Sequence, residues 1–245
     1  MKVVHATWEQ RNLGVDCHEI TIEPEDSADV MAQGLREHET QYMVVRLPVG
    51  RMDLLFRAQE LGYRFIETMT YCYHTGANFN LNTIQQRIVE RISWRPMDEA
   101  GQAAMFAEIR QGMFSTDRVS LDPQFSSDQA NQRYVYWIQD ELARGGRVYQ
   151  VLYGDRDLGF FTLKRQSADV EFAFLSGTYT AFRTSGLGFT CHYCEVVEGL
   201  RSGAKRVMTS YSSNNRGAAA VHLSMGHVLH QQCYMLVKHG SPPIG

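Results

Sequence analysis

The sequence predicts an α/β (α+β) fold in two unequal parts. Three observations carry that expectation. Apolar runs with the alternation of strands recur along the chain, interleaved with segments whose apolar residues repeat at helical spacing. A polar stretch, His74 to Gln85, separates an incomplete first part, residues 1–80, from a fuller second part, residues 86–240. The second part then reads strand, two helices, three strands, helix, strand, helix, strand.

In the first part, Lys2–Thr7 and Cys17–Ile22 read as strands around an Asn12-Leu13-Gly14 turn. Pro24–His38 reads as a helix, with Pro24, Glu25 and Asp26 in its first turn and Val30, Met31 and Leu35 on one face. Tyr42–Leu47 is a strand closed by Pro48. Met52–Glu60 is a short amphipathic helix stopped before Gly62, and Arg64–Tyr73 is a strand.

In the second part, Ile88–Trp94 reads as a strand ended by Arg95-Pro96, followed by a helix from Asp98 or Glu99 to Gln111. Phe114–Ser127 is irregular. Gln129–Arg144 is a helix with Tyr134, Trp137, Ile138 and Leu142 on one face, ended by Gly145-Gly146. Arg147–Tyr153, Leu158–Lys164 and Val170–Leu175 are strands joined by tight polar turns. Phe189–Leu200 is a helix, Arg206–Tyr211 a strand, Asn215–Ser224 a helix and Val228–Val237 a last strand. Glu60–His74 and Ser224–Lys238 share a helix–glycine–strand pattern, as a duplicated half-domain would.

Composition narrows the function classes. The chain has 245 residues and a formal net charge of −3, without the basic excess of a nucleic-acid binder. No apolar run reaches the roughly 20 residues of a membrane span, and Met1–Gln10 lacks a signal-peptide pattern. Five scattered cysteines predict a reduced, cytoplasmic protein. Cys191 and Cys194 stand at C-x-x-C spacing but lack a second pair, and His227 and His230 fall on opposite strand faces. No metal is expected.

The stretch with most chemistry is Arg183-Thr184-Ser185-Gly186-Leu187-Gly188, set between the Val170–Leu175 strand and a helix. Glycines let the backbone approach a ligand closely, and a helix N-terminus offers free amides and a positive dipole end to an anion. Asn215 suits a helix N-cap.

The second part resembles the GNAT superfamily of acyl-CoA-dependent N-acyltransferases. The resemblance rests on Arg183-x-x-Gly186-x-Gly188, on Asn215-x-x-Ala218 with Gly226 downstream, and on Ile92–Ala100 as the first strand and helix start. It implies a mixed, mostly antiparallel central sheet flanked by helices, preceded here by a partial GNAT-like half. Within the superfamily, Phe114–Arg118, Asn131–Ile138 and the N-terminal extension with Trp8-Glu9 and Leu13-Gly14 are similar to the TDP-fucosamine acetyltransferases.

The resemblance implies acetyl-CoA, or another acyl-CoA, as co-substrate. Thr184 to Gly188 would hold its pyrophosphate through backbone amides, with Arg183 at the loop start. Phe174 and Leu175 would lie beside the pantetheine arm, between strands that splay apart, with Asn215 and Ala218 touching the cofactor. Glu171 is the candidate general base. His222 stands where the family usually has a tyrosine general acid, and its ordinary pKa of about 6.5 would make that step pH-sensitive. Asp117, Arg118 and Asp122 are the charged groups of the expected acceptor loop, Arg118 being suited to a nucleotide diphosphate.

The partner expected is a small-molecule amine, with a nucleotide-linked amino sugar as the leading acceptor class and a homodimer compatible with the sequence. The alternatives are another acyl-CoA or acceptor, such as an amino acid or natural-product intermediate, and a catalytically idle acyl-CoA-binding module.

Overall fold

The computed structural model describes residues 1–77 and 79–240. The first half comprises β1 (Lys2–His5), α1 (Trp8–Leu13), β2 (Cys17–Thr21), α2 (Ala28–Glu37), β3 (Tyr42–Pro48), α3 (Met52–Glu60) and β4 (Arg64–His74). The second comprises α4 (Thr83–Val89), β5 (Ile92–Pro96), α5 (Glu99–Arg110), α6 (Ser127–Ala143), β6 (Arg147–Tyr153), β7 (Arg156–Ser167), β8 (Val170–Phe172) and β9 (Ser176–Thr178). After a 3₁₀ turn at Thr180–Phe182 come α7 (Phe189–Arg201), β10 (Arg206–Ser212), α8 (Arg216–Ser224) and β11 (Val228–His239).

Most elements form where their sequence pattern places them, and the departures have local causes. The helix expected from Pro24 starts at Ala28, because Ser27 caps it and the Asp26 carboxylate accepts the Glu23 amide, holding Pro24–Asp26 in a turn. α1 replaces part of the expected Asn12–Gly14 turn. It is six residues long, too short to show a period, and ends on Gly14 at φ 75°, a left-handed conformation suited to glycine. α4 occupies the end of the expected linker, opened by a reciprocal capping box between Asn82 and Gln85, so β5 begins at Ile92. Asn78 of that linker lies outside the described residues.

The strands form one mixed sheet ordered β1-β2-β3-β11-β4-β10-β8-β7-β6-β5, with β9 also paired to β7. The last strand of each half enters the other half's territory. β11 lies antiparallel between β3 and β4, and β4 lies antiparallel between β11 and β10. Outward from the β11/β4 seam the pattern is the same both ways. An antiparallel neighbour (β3 or β10) is followed by its parallel partner (β2 or β8) and then an antiparallel one (β1 or β7). Glu60–His74 and Ser224–Lys238 thus occupy equivalent places about a pseudo-twofold axis.

Helices cover both faces. α7 packs Cys194 and Val196 against Phe161, Leu163 and Val207. On the other face α5 and α6 pack Met105, Ile109, Val135 and Ile138 around Phe160. Burial of side chains of this size stabilises by roughly 1.5–3 kcal/mol each. α2 and α3 cover the first half through Met31, Leu35, Leu54 and Leu55. Among the described residues no helix is long and apolar enough to cross a membrane.

Candidate active site

The site begins where two parallel strands separate. β8 and β10 pair only from Val170 and Arg206 to Phe172 and Met208, with a last bond from the Ala173 amide to the Met208 carbonyl at 2.8 Å. The chain then turns toward β7. The Leu175 amide donates to the Thr162 hydroxyl at 2.9 Å, and its carbonyl accepts from that hydroxyl at 2.7 Å and from the Thr162 amide at 3.0 Å. This tether divides the expected Val170–Leu175 strand into β8 and a turn into β9. β10 continues alone along β4, from Thr209 opposite Cys72 to Ser212 opposite Met69. A notch is left between Ala173–Leu175 and Thr209–Tyr211.

The notch opens into a cavity of about 730 Å³. Arg183, Gly188, Phe174, Leu175, Asn215, Ala218 and His222 line it on the loop side, and Asp117 and Arg118 line its far end. Gly188 sits at the N-terminus of α7, where an added Cβ would meet nothing within 4 Å. The amides of Gly186 and Gly188 donate to no protein acceptor among the described residues, as an anion cradle requires. Gly186, at φ 76°, makes the turn into the helix.

Thr184, Ser185, Gly186 and Leu187 belong to the loop but do not line the cavity. The Ser185 hydroxyl donates to the Phe182 carbonyl and accepts the Leu187 amide, which fixes the loop from within. The Arg183 guanidinium donates to the carbonyls of Gly112 and Met113, tying the loop to the end of α5. The Asn215 side chain accepts the Ala218 amide at 2.9 Å, capping α8 while facing the cavity. These placements fit an acyl-CoA: anion-ready amides at the mouth and an open notch beyond them.

His222 is 1% exposed and sits among rings, with centroids 5.3 Å from Tyr211, 4.3 Å from His192 and 4.6 Å from His227. Its Nδ1 has no hydrogen-bond partner. Burial, then the neighbouring His192 and His227, holds its pKa well below the usual imidazole value, so the ring is neutral. That direction runs away from the titration near pH 6.5 expected from an ordinary imidazole. His192 also lines the cavity, its Nδ1 3.0 Å from Glu195 Oε1 and 3.4 Å from Ser176 Oγ.

Two sequence candidates lie elsewhere. Glu171 is fully buried under α7, on the sheet face opposite Phe172, which lines the cavity. Its Oε1 meets Arg147 at 2.6 Å, Arg165 at 3.0 Å and the Ser202 hydroxyl at 3.0 Å. Strand alternation turns it away from the notch, so the expected general base becomes a buried carboxylate paired with the partly exposed Arg147 and Arg165. Asp122 is buried against His239 at 2.7 Å and accepts the Gln124 amide, outside the cavity.

At the far end lies a charge network that local patterns do not reveal. Glu9 of α1 accepts from Arg133 of α6 at 2.8 Å and lies 3.3 Å from Arg118. Glu19 of β2 meets Arg118 at 2.7 Å and Arg46 of β3 at 2.8 Å. Burial works to raise the Glu19 pKa, but Arg118 and Arg46 hold it at about 2. Arg118 is thus engaged by two carboxylates, a different role from the expected diphosphate partner. Glu67 of β4 also faces this end. Its signal was the alternation of Glu67, Met69 and Tyr71, but it stands in the half that lacks the glycine loop.

Cys191 and Cys194 lie on the buried face of α7, and burial raises both thiols above their ordinary pKa. Among the described residues no group of three or more His, Cys, Asp or Glu side chains could hold a metal ion.

No protein-family model and no curated protein matches the sequence. Solved structures do match in fold. A GCN5-related N-acetyltransferase from Sphaerobacter thermophilus superposes with a TM-score of 0.56 at 15% identity, over 83% of this chain and 61% of that one. A tandem GNAT protein from the clavulanic acid biosynthesis pathway gives 0.51 at 12% identity, over 88% and 69%. A GCN5-related N-acetyltransferase from Kribbella flavida gives 0.52 at 12% identity, over 92% and 82%. This chain therefore spans less than two thirds of the first of these proteins. With its mostly antiparallel sheet, its helices on both faces and its parallel strands parting over a glycine loop, the chain has the GNAT fold.

Proposed function

We propose that this protein is an acetyl-CoA-dependent N-acetyltransferase acting on the primary amine of a small molecule. The observation that carries the reading is one continuous cavity. It runs from the amides of the Arg183–Gly188 loop, through the notch between β8 and β10, to a polar end formed by both halves. The donor's acyl thioester supplies the electrophile, and the chain's own groups do the rest. The Gly186 and Gly188 amides and the α7 N-terminus take the pyrophosphate. The parted strands orient the arm, and His222 supplies a proton at the position of the departing thiolate.

A nucleotide-linked amino sugar, the acceptor of the TDP-fucosamine acetyltransferases, fits the far end poorly. Arg118 is engaged by Glu9 and Glu19, and Asp122 lies outside the cavity. An acceptor that presents an amine there without a diphosphate fits better. The test is thiol release from acetyl-CoA across a panel of primary amines. Amine-dependent release is expected. Saturable acetyl-CoA binding with no release for any amine would leave a binding module and overturn the reading.

A further inference from the structure

Among the described residues Glu67 makes no ion pair, although the Arg118 charge works to lower its pKa. β4 carries Glu67, Met69 and Tyr71 on its cavity face. Glu67 is 1% exposed, and its Oε2 has no hydrogen-bond partner among the described residues. The Ser212 hydroxyl of β10 and the Arg118 backbone amide lie against the carboxyl, with Asp117 also nearby. Burial raises its pKa above the usual glutamate value.

The neighbouring cations are already engaged. Arg118 faces Glu19 and Glu9, Arg133 faces Glu9 and lies 3.8 Å from Asp117, and Arg46 faces Glu19. Three guanidiniums thus answer three other carboxylates and leave Glu67 unmatched. A buried carboxyl with an open oxygen is costly unless something completes it. A primary ammonium is cation and donor at once. The adjoining wall is built from Phe114, Tyr134 and Trp137, which suits an apolar or aromatic body.

We propose that Glu67, carried into the cavity by the first half's strand β4, receives the acceptor's primary amine and removes its proton. The proposal rests on the acyl-transfer reading above. An ammonium gives one proton to the Glu67 carboxylate. The free amine forms the C–N bond to the acyl carbon and the C–S bond breaks. The nitrogen's second proton passes through the His222 ring, which accepts at one nitrogen and donates from the other, to the departing thiolate, so amide and thiol form with net release of the one proton held by Glu67. The acceptor class is a primary alkylamine with no anionic group at its reacting end.

The test compares the full chain with Glu67→Gln, which keeps the shape of the side chain. In carbon-13 NMR of carboxyl-labelled glutamate, one resonance should titrate above the ordinary value of about 4.3 and vanish in the variant. Without acyl donor, phenethylamine should shift it. In turnover, Glu67→Gln should lower kcat with phenethylamine about 100-fold but keep transfer to hydroxylamine, already neutral at neutral pH, within about threefold. CoA affinity should be unchanged. The proposal is overturned if Glu67 titrates in the ordinary range and ignores phenethylamine, or if the variant handles both amines alike. A phenethylamine response at Glu67 without thiol release from the wild type would support amine capture and count against acyl transfer, so the two failures are distinguishable.

Discussion

The rings of His222 and Tyr211 stack 18° from parallel with centroids 5.3 Å apart, one on α8 and the other where β10 has parted from β8. This contact sets the imidazole at the notch, and burial keeps it neutral. A neutral imidazole has one N–H donor and one acceptor nitrogen, so it can hand a proton to the thiolate while taking the amine's proton at the other nitrogen, without an imidazolium at rest.

His222→Phe should keep the ring stack and lose the donor. Steady-state kinetics should show kcat lower by about 100-fold, with CoA affinity unchanged in calorimetry. The wild type's kcat should show no titration near pH 6.5 that belongs to this ring. Full activity of His222→Phe from pH 6 to 9 would remove His222 from the chemistry.

Glu9 joins the halves. It is fully buried on α1 and answers Arg133 on α6 and Arg118 in the loop before it. Removing it strips buried Arg133 of its close partner and leaves Arg118 to Glu19 alone, so Glu9→Ala should destabilise by about 3–5 kcal/mol in urea unfolding. Asp140 meets Arg11 on the same pair of helices, but that pair is largely exposed. Asp140→Ala should cost no more than about 1 kcal/mol.

His227 makes stability fall in acid. Both its ring nitrogens are buried without a hydrogen-bond partner among the described residues. Burial, then His192 and His74, lowers its pKa to about 3. An unfolded imidazole protonates near about pH 6.5. Between those values the unfolded state binds more protons, so stability drops as pH drops. Relative to the wild type, His227→Leu should gain up to about 1.4 kcal/mol for each pH unit below about 6. Glu67, Glu9 and Glu19 are common to both proteins and cancel. Parallel stability curves from pH 8 to 5 would refute this role.

Sequence pattern singled out Arg183, Gly188 and Asn215 on the cavity and missed Glu9, Glu19 and Glu67 at its far end, for physical reasons. The turn at Gly186 and the Asn215 cap are backbone features, so they are written within a few residues. β6 and α3 were legible because each carries its own period. The exchange of β4 and β11 was not, since strand pairing is a contact between distant residues that leaves no local mark. The side facing of Glu171 turned on its register in the folded sheet, which alternation alone left open. Glu67 went unread because its strand belongs to one half and its chemistry to the cavity of the other.

Acetyl-CoA binding by Gly188→Ala tests the central claim most directly. Gly188 has φ −57°, and an added Cβ meets no protein atom within 4 Å, so the variant should fold with unchanged stability. The methyl group would point into the space assigned to the pyrophosphate. Isothermal titration should show one saturable site in the wild type, with affinity in the range of about 1 μM to 1 mM. In Gly188→Ala that affinity should be at least about tenfold weaker, a loss of roughly 1.4 kcal/mol. Equal affinity in both proteins, or no binding by the wild type, would contradict the account.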